Sequence, residues 1–179
     1  LFAVRLALAQ LPDLPDHLSL TINIGPDAIR DPEFLQIIRE VDRSRLILEL
    51  TEHAVVGDYP ELLESLQDVR RDGLRVAIDD TGSGYSSLAH ILKIAPDFIK
   101  LDRELTHGID GDPVRRALAA ALVSFAADTS AEIVAEGIET EGELAVLRTL
   151  GVRYGQGFHL GHPAGLAGSS PAPGPRPSP

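Results

Sequence analysis

The stretch LRVAIDDTGSGYSSLAHILKIAPDFIKLD, residues 74–102, decides the fold class. An apolar, β-branched run over 74–80 ends on two aspartates, Asp79 and Asp80. Gly82 and Gly84 then mark a permissive loop. Ser86 can cap a helix over SSLAHILKI, which must end before Pro96 because proline pushes its predecessor out of the helical region. A second short apolar run, DFIKLD, follows over 97–102. Strand, loop, helix and strand in this order form a βαβ unit with parallel strands.

The same rhythm extends outward in both directions. Strand-like runs occur at 18–24 (LSLTINI), 45–51 (RLILELT), 131–137 (AEIVAEG) and 152–158 (VRYGQGF). Asp31-Pro32 and Asp112-Pro113 open helices, with aspartate as N-cap and proline in the first turn. Tyr59-Pro60 precedes another helix, with Leu62, Leu63, Leu66 and Val69 at helical spacing, and it stops near Gly73. Thr140 can cap a last helix that ends at Gly151. The opening LFAVRLALA is too short to span a membrane and reads as the end of an amphipathic helix. Six short parallel strands with intervening helices give an α/β fold with a parallel sheet, in one domain over residues 1–165. Residues 166–179, rich in Pro, Ser, Gly and Ala, cannot bury enough apolar surface to offset ordering entropy and are expected to be disordered.

Composition narrows the function classes. The formal net charge of −11 excludes a generic basic DNA-binding footprint. That acidity suits either a solvated surface or carboxylates gathered on cations. The chain has no cysteine, which excludes disulfides, thiolate catalysis and Cys-based zinc sites and fits a reducing cytoplasm. The six histidines show no HExxH arrangement and read as surface or loop residues. The chain has no methionine and starts at Leu1, so it reads as part of a longer protein.

Polar residues collect at the strand ends: Asn23, Glu49 with Thr51 and Glu52, Asp79 with Asp80, Lys100 with Asp102, Glu136, and Gln156. In a parallel βα barrel those ends share one face, where active sites form. An adjacent Asp pair is either a turn device or a cation site, since consecutive strand residues point to opposite faces. Oxygen-only ligands favour Mg²⁺ or Mn²⁺ over zinc. Lys100 is either a simple ion-pair partner or a cation for a water or phosphate oxygen.

Taken together, LSLTINI, LILELTE, VAIDDTGSGYSSL, DFIKLD, IVAEGIET and GVRYGQGFHLGHP resemble the EAL family of cyclic-di-GMP phosphodiesterases, in that family's order and over about residues 1–164. The resemblance implies a TIM-type barrel that hydrolyses cyclic di-GMP to linear pGpG with two divalent ions, Mg²⁺ or Mn²⁺. It implies metal ligation by Asn23, Glu49, Asp79, Asp80 and Glu136. Asp79 would bridge both ions and Asp80 would serve the second. Lys100 would lie beside the attacking water, with Glu136 as base or second-metal partner and Gln156 completing the site. Glu52 would anchor the loop after Asp80. A homodimer, upstream sensory domains and a cytoplasmic location are further implications. The E-A-L segment that names the family belongs upstream of LSLTINI and is not found here, which implies a truncated barrel lacking one glutamate ligand and leaves open a catalytically inactive module that binds cyclic di-GMP or a protein partner. Thr81 stands where the family has an aromatic, and Gly25 where it has serine.

Overall fold

The computed structural model describes residues 1–51, 59–71, 73–81 and 91–165. Six strands form one parallel sheet in sequential order: β1 (Leu20–Ile24), β2 (Leu46–Thr51), β3 (Arg75–Thr81), β4 (Phe98–Leu101), β5 (Glu132–Ala135) and β6 (Tyr154–Gly155). Each strand pairs with its successor. Sequential parallel order is the singly wound arrangement of a βα barrel, and it differs from the reversing order of a doubly wound sheet. The helices are α1 (Phe2–Leu8), α2 (Pro26–Ile29), α3 (Pro32–Arg39), α4 (Tyr59–Arg70), α5 (Arg103–Thr106), α6 (Pro113–Asp128) and α7 (Glu141–Thr149). Residues 91–94 are also helical, within the helix expected before Pro96.

Register divides the sheet into two faces. Ile22, Leu48 and Val76 are direct partners across three strands and are all buried. They join Phe34, Ile37 and Ile38 of α3, Leu62, Leu66 and Val69 of α4, and Ala119, Leu122 and Ala126 of α6 in one core. Each fully buried aliphatic side chain contributes about 1.5–3 kcal/mol. The neighbouring register positions, Asn23, Glu49 and Ala77, lie on the opposite face.

The helix signals expected at α3, α6 and α7 operate, and Ser86 lies outside the described residues. Asp31 accepts the Glu33 N–H and Asp112 accepts those of Val114 and Arg115, each with proline in the first turn. Thr140 and Glu143 close a capping box at α7, and Gly151, at φ +91°, lets the chain leave that helix in the left-handed region. The sixth strand is shorter than the expected 152–158, because the chain turns away at Gly157, whose φ of +153° excludes other residues. No helix among the described residues is long and apolar enough to cross a membrane.

Candidate active site

The chemistry converges on Lys100. This residue is on β4, and its side chain is only 7% exposed. Its Nζ lies 3.0 Å from Glu49 Oε2, 3.0 Å from Asp79 Oδ1 and 2.6 Å from Glu136 Oε1. Those carboxylates come from the ends of β2 and β3 and the residue after β5. All three bond one atom, so no two of these oxygens are separated by more than twice the longest contact. Gln156, just after β6, donates from Nε2 to the same Glu136 oxygen at 2.7 Å. Five polar side chains expected at strand ends, Glu49, Asp79, Lys100, Glu136 and Gln156, are thus joined in a single network. A sixth, Asn23, lies beside Glu49 in register and is exposed.

The backbone explains how β3 serves this cluster. Ala77 and Ile78 pair with Phe98 and Ile99, but Thr81 pairs with Leu101. One extra residue on β3 is accommodated where Asp79 and Asp80 stand. Such a bulge suspends strict alternation and re-aims side chains near sites. The Asp80 side chain, Glu52 and residues 82–90 lie outside the described residues.

Three negative charges share one positive charge, and the proton affinities follow. Burial works against the Lys100 charge, but hydrogen bonds to Glu136, Asp79 and Glu49 outweigh it and push its pKa above the ordinary lysine value. Burial also raises Glu136. Lys100 pulls it back, yet the charges of Asp79 and Glu49 add to the rise, leaving it above the usual carboxylate value. Glu49, Asp79, Glu136 and Asn23 supply only oxygen donors, the chemistry hard divalent cations take. Among the described residues no three carboxylate or imidazole groups already enclose a cation by themselves.

The chain leaving Glu136 packs closely against the segment that follows β6. Ile138 donates to the Gln156 carbonyl at 3.1 Å and accepts from His159 at 3.0 Å. A cavity of about 560 Å³ opens beside Gln156, lined partly by Gly157, Phe158, Leu160 and His162. The Phe158 and His162 rings stack 4.6 Å apart. As expected for surface positions, His17, His107, His159 and His162 are exposed, while His53 and His90 lie outside the described residues. Phe158 and Glu143 are functional candidates that strand-end position does not mark. The T-x-x-E spacing of Thr140 and Glu143 was the available signal for the latter.

The EAL domain family model matches residues 1–163. The chain belongs to the EAL domain family. Its EAL domain is 31% identical over 173 residues to a cyclic di-GMP phosphodiesterase of Pseudomonas aeruginosa, covering 90% of this chain and 29% of that protein. It superposes on the EAL domain of Mycobacterium smegmatis DcpA with a TM-score of 0.83 and 29% identity, covering 90% of this chain and 78% of the other. It also matches Klebsiella pneumoniae BlrP1 in a manganese and cyclic-di-GMP complex at a TM-score of 0.77 and 32% identity, covering 88% and 42% respectively. The chain spans between 21% and 29% of the length of the first three curated relatives.

Proposed function

We propose that this EAL domain hydrolyses one phosphodiester bond of cyclic di-GMP to give linear pGpG. The observation that carries this reading is the convergence of Glu49, Asp79 and Glu136 on Lys100 at the strand ends of a fold whose relatives act on that nucleotide. Asn23, Glu49, Asp79, Asp80 and Glu136 would hold two divalent cations, Mg²⁺ or Mn²⁺. When bound, such ions neutralise phosphate oxygens and acidify a coordinated water.

The chain's own residues supply the rest. Lys100 stays protonated and is a fixed positive charge for a phosphate oxygen or the attacking water, so it does not serve as a base. Glu136, raised in proton affinity, accepts a proton from that water as its oxygen bonds phosphorus. The phosphorus–oxygen ester bond breaks, the leaving oxygen takes a proton from solvent water, and Glu136 later returns its proton to solvent. Gln156 holds Glu136 in place, and Glu52 would anchor the loop after Asp80. The cavity beside Gln156 offers space for part of the dinucleotide. A homodimer, a cytoplasmic setting and regulatory domains elsewhere in a longer protein belong to the same proposal.

Turnover of cyclic di-GMP with Mn²⁺ or Mg²⁺, followed by chromatography of the products, tests it. The expected result is pGpG that disappears with a chelator. Tight binding of the nucleotide by a folded chain that forms no product would contradict hydrolysis and assign the domain to binding alone.

A further inference from the structure

Glu143 is 1% exposed and carries a carboxylate that touches none of the site residues. Its Oε1 accepts the Gly108 N–H at 2.8 Å. Its Oε2 accepts those of Glu139 at 2.8 Å and Thr140 at 3.0 Å. His107 Nδ1 lies 3.4 Å from Oε1. Burial opposes the charge, but the three N–H donors override it and hold this carboxyl below the usual value.

These contacts exceed what a helix cap requires. Thr140 belongs to the capping box and Glu139 directly precedes it, but Gly108 lies 35 residues away in sequence. It follows α5, which begins three residues after Lys100. Glu139 follows Glu136 by three residues. One buried carboxylate therefore ties together the two chain segments that leave β4 and β5. Across that same gap Glu136 N donates to the Leu101 carbonyl at 3.0 Å and Lys100 reaches Glu136. A second tie, Arg103 to Glu139 at 2.7 Å, is more exposed, and solvent and salt weaken it.

We propose that Glu143 is a positioning residue, a clamp that fixes the Lys100–Glu136 contact by holding the Gly108 turn against the loop after Glu136. The catalytic part of this inference rests on the hydrolytic reading above; the clamp itself does not. Glu143→Gln separates the two jobs of the carboxylate. The amide oxygen still accepts from Glu139 and Thr140, so the helix cap survives. Its NH₂ group then faces the Gly108 N–H, and two donors cannot bond.

Nuclear magnetic resonance of the folded variant reads both ends of the clamp. The expected result is faster hydrogen exchange at the Gly108 amide, retained protection at Thr140, and a shifted, faster-exchanging Lys100 ammonium signal. Glu132→Gln, which removes only the charge of the exposed pair with Arg153, should leave these signals unchanged. In turnover, kcat should fall about 10- to 100-fold with little change in KM, the scale seen when residues supporting metal ligands are removed. A freed Gly108 amide with an unaltered Lys100 signal overturns the proposal, as does a Gly108 amide that stays protected. If the wild-type chain turns nothing over, the hydrolytic reading fails, and the ammonium signal alone decides the clamp.

Discussion

Replacing Lys100 with methionine tests the electrostatics of the cluster. The side chain keeps similar length and loses only the charge and its three donors. Lys100 is 7% exposed, and its partners are 13%, 16% and 17% exposed. A solvent-exposed pair is worth about 1 kcal/mol or less. Stranding buried charges by removing their partner costs about 3–5 kcal/mol, and here three carboxylates lose the same partner. With a urea slope of about 2 kcal/mol per molar, the midpoint should fall by about 2 M at neutral pH in chelating buffer. The deficit should shrink as pH approaches about 4, where carboxylates take up protons. Glu136 takes up its proton above the usual carboxylate range, because burial raises its proton affinity. A midpoint shift below about 0.5 M, or a deficit that ignores pH, would refute this account.

Other perturbations follow from neighbouring geometry. Gly137 sits at φ +65°, and a Cβ there would come within 2.4 Å of Arg103 Cγ. Gly137→Ala should lose about 1–2 kcal/mol in thermal unfolding from the backbone alone, and turnover should fall because Glu136 is adjacent. Asp112→Ala removes the cap on Val114 and Arg115 and should cost about 1 kcal/mol without altering turnover. Leu48→Ala opens the center of the sheet's packed face and should cost about 2–5 kcal/mol by denaturant titration. Glu143 has a folded pKa below its ordinary 4.5, so its stabilisation is complete above that value and is lost as pH falls through the folded one. Unfolding free energy measured across the acid range should therefore decline less steeply in Glu143→Gln.

Much of this architecture was legible because the signals are local. Leu46, Leu48 and Leu50 alternate with Ile47 and Glu49, so the sequence itself shows which face of β2 is packed and where its carboxylate points. Asp31-Pro32, Asp112-Pro113 and Gly151 mark helix ends through their own backbone chemistry. The strand-end rule gathered Glu49, Asp79, Lys100, Glu136 and Gln156 before any distance was known. Long-range facts were not legible. The bulge at Asp79 and Asp80 depends on how β3 pairs with β4, which periodicity cannot encode. The clamp by Glu143 depends on Gly108, and only folding brings the two together. The shortness of β6 follows from Gly157 packing against the Ile138 backbone, again a tertiary fact. The Asp80 side chain, Glu52 and the tail at 166–179 lie outside the described residues, and their expected roles stand as proposals.

The central claim is that the strand-end cluster around Lys100 is a working phosphodiesterase site, with Glu136 as its base. The most direct test is the rate of linear pGpG formation from cyclic di-GMP by this chain and by Glu136→Ala, in the same Mn²⁺ buffer and with folding verified for both. The account predicts product from the chain and a rate at least about 100-fold lower from the variant, the lower end of what a positioned general base contributes. Equal rates from the two proteins would contradict it.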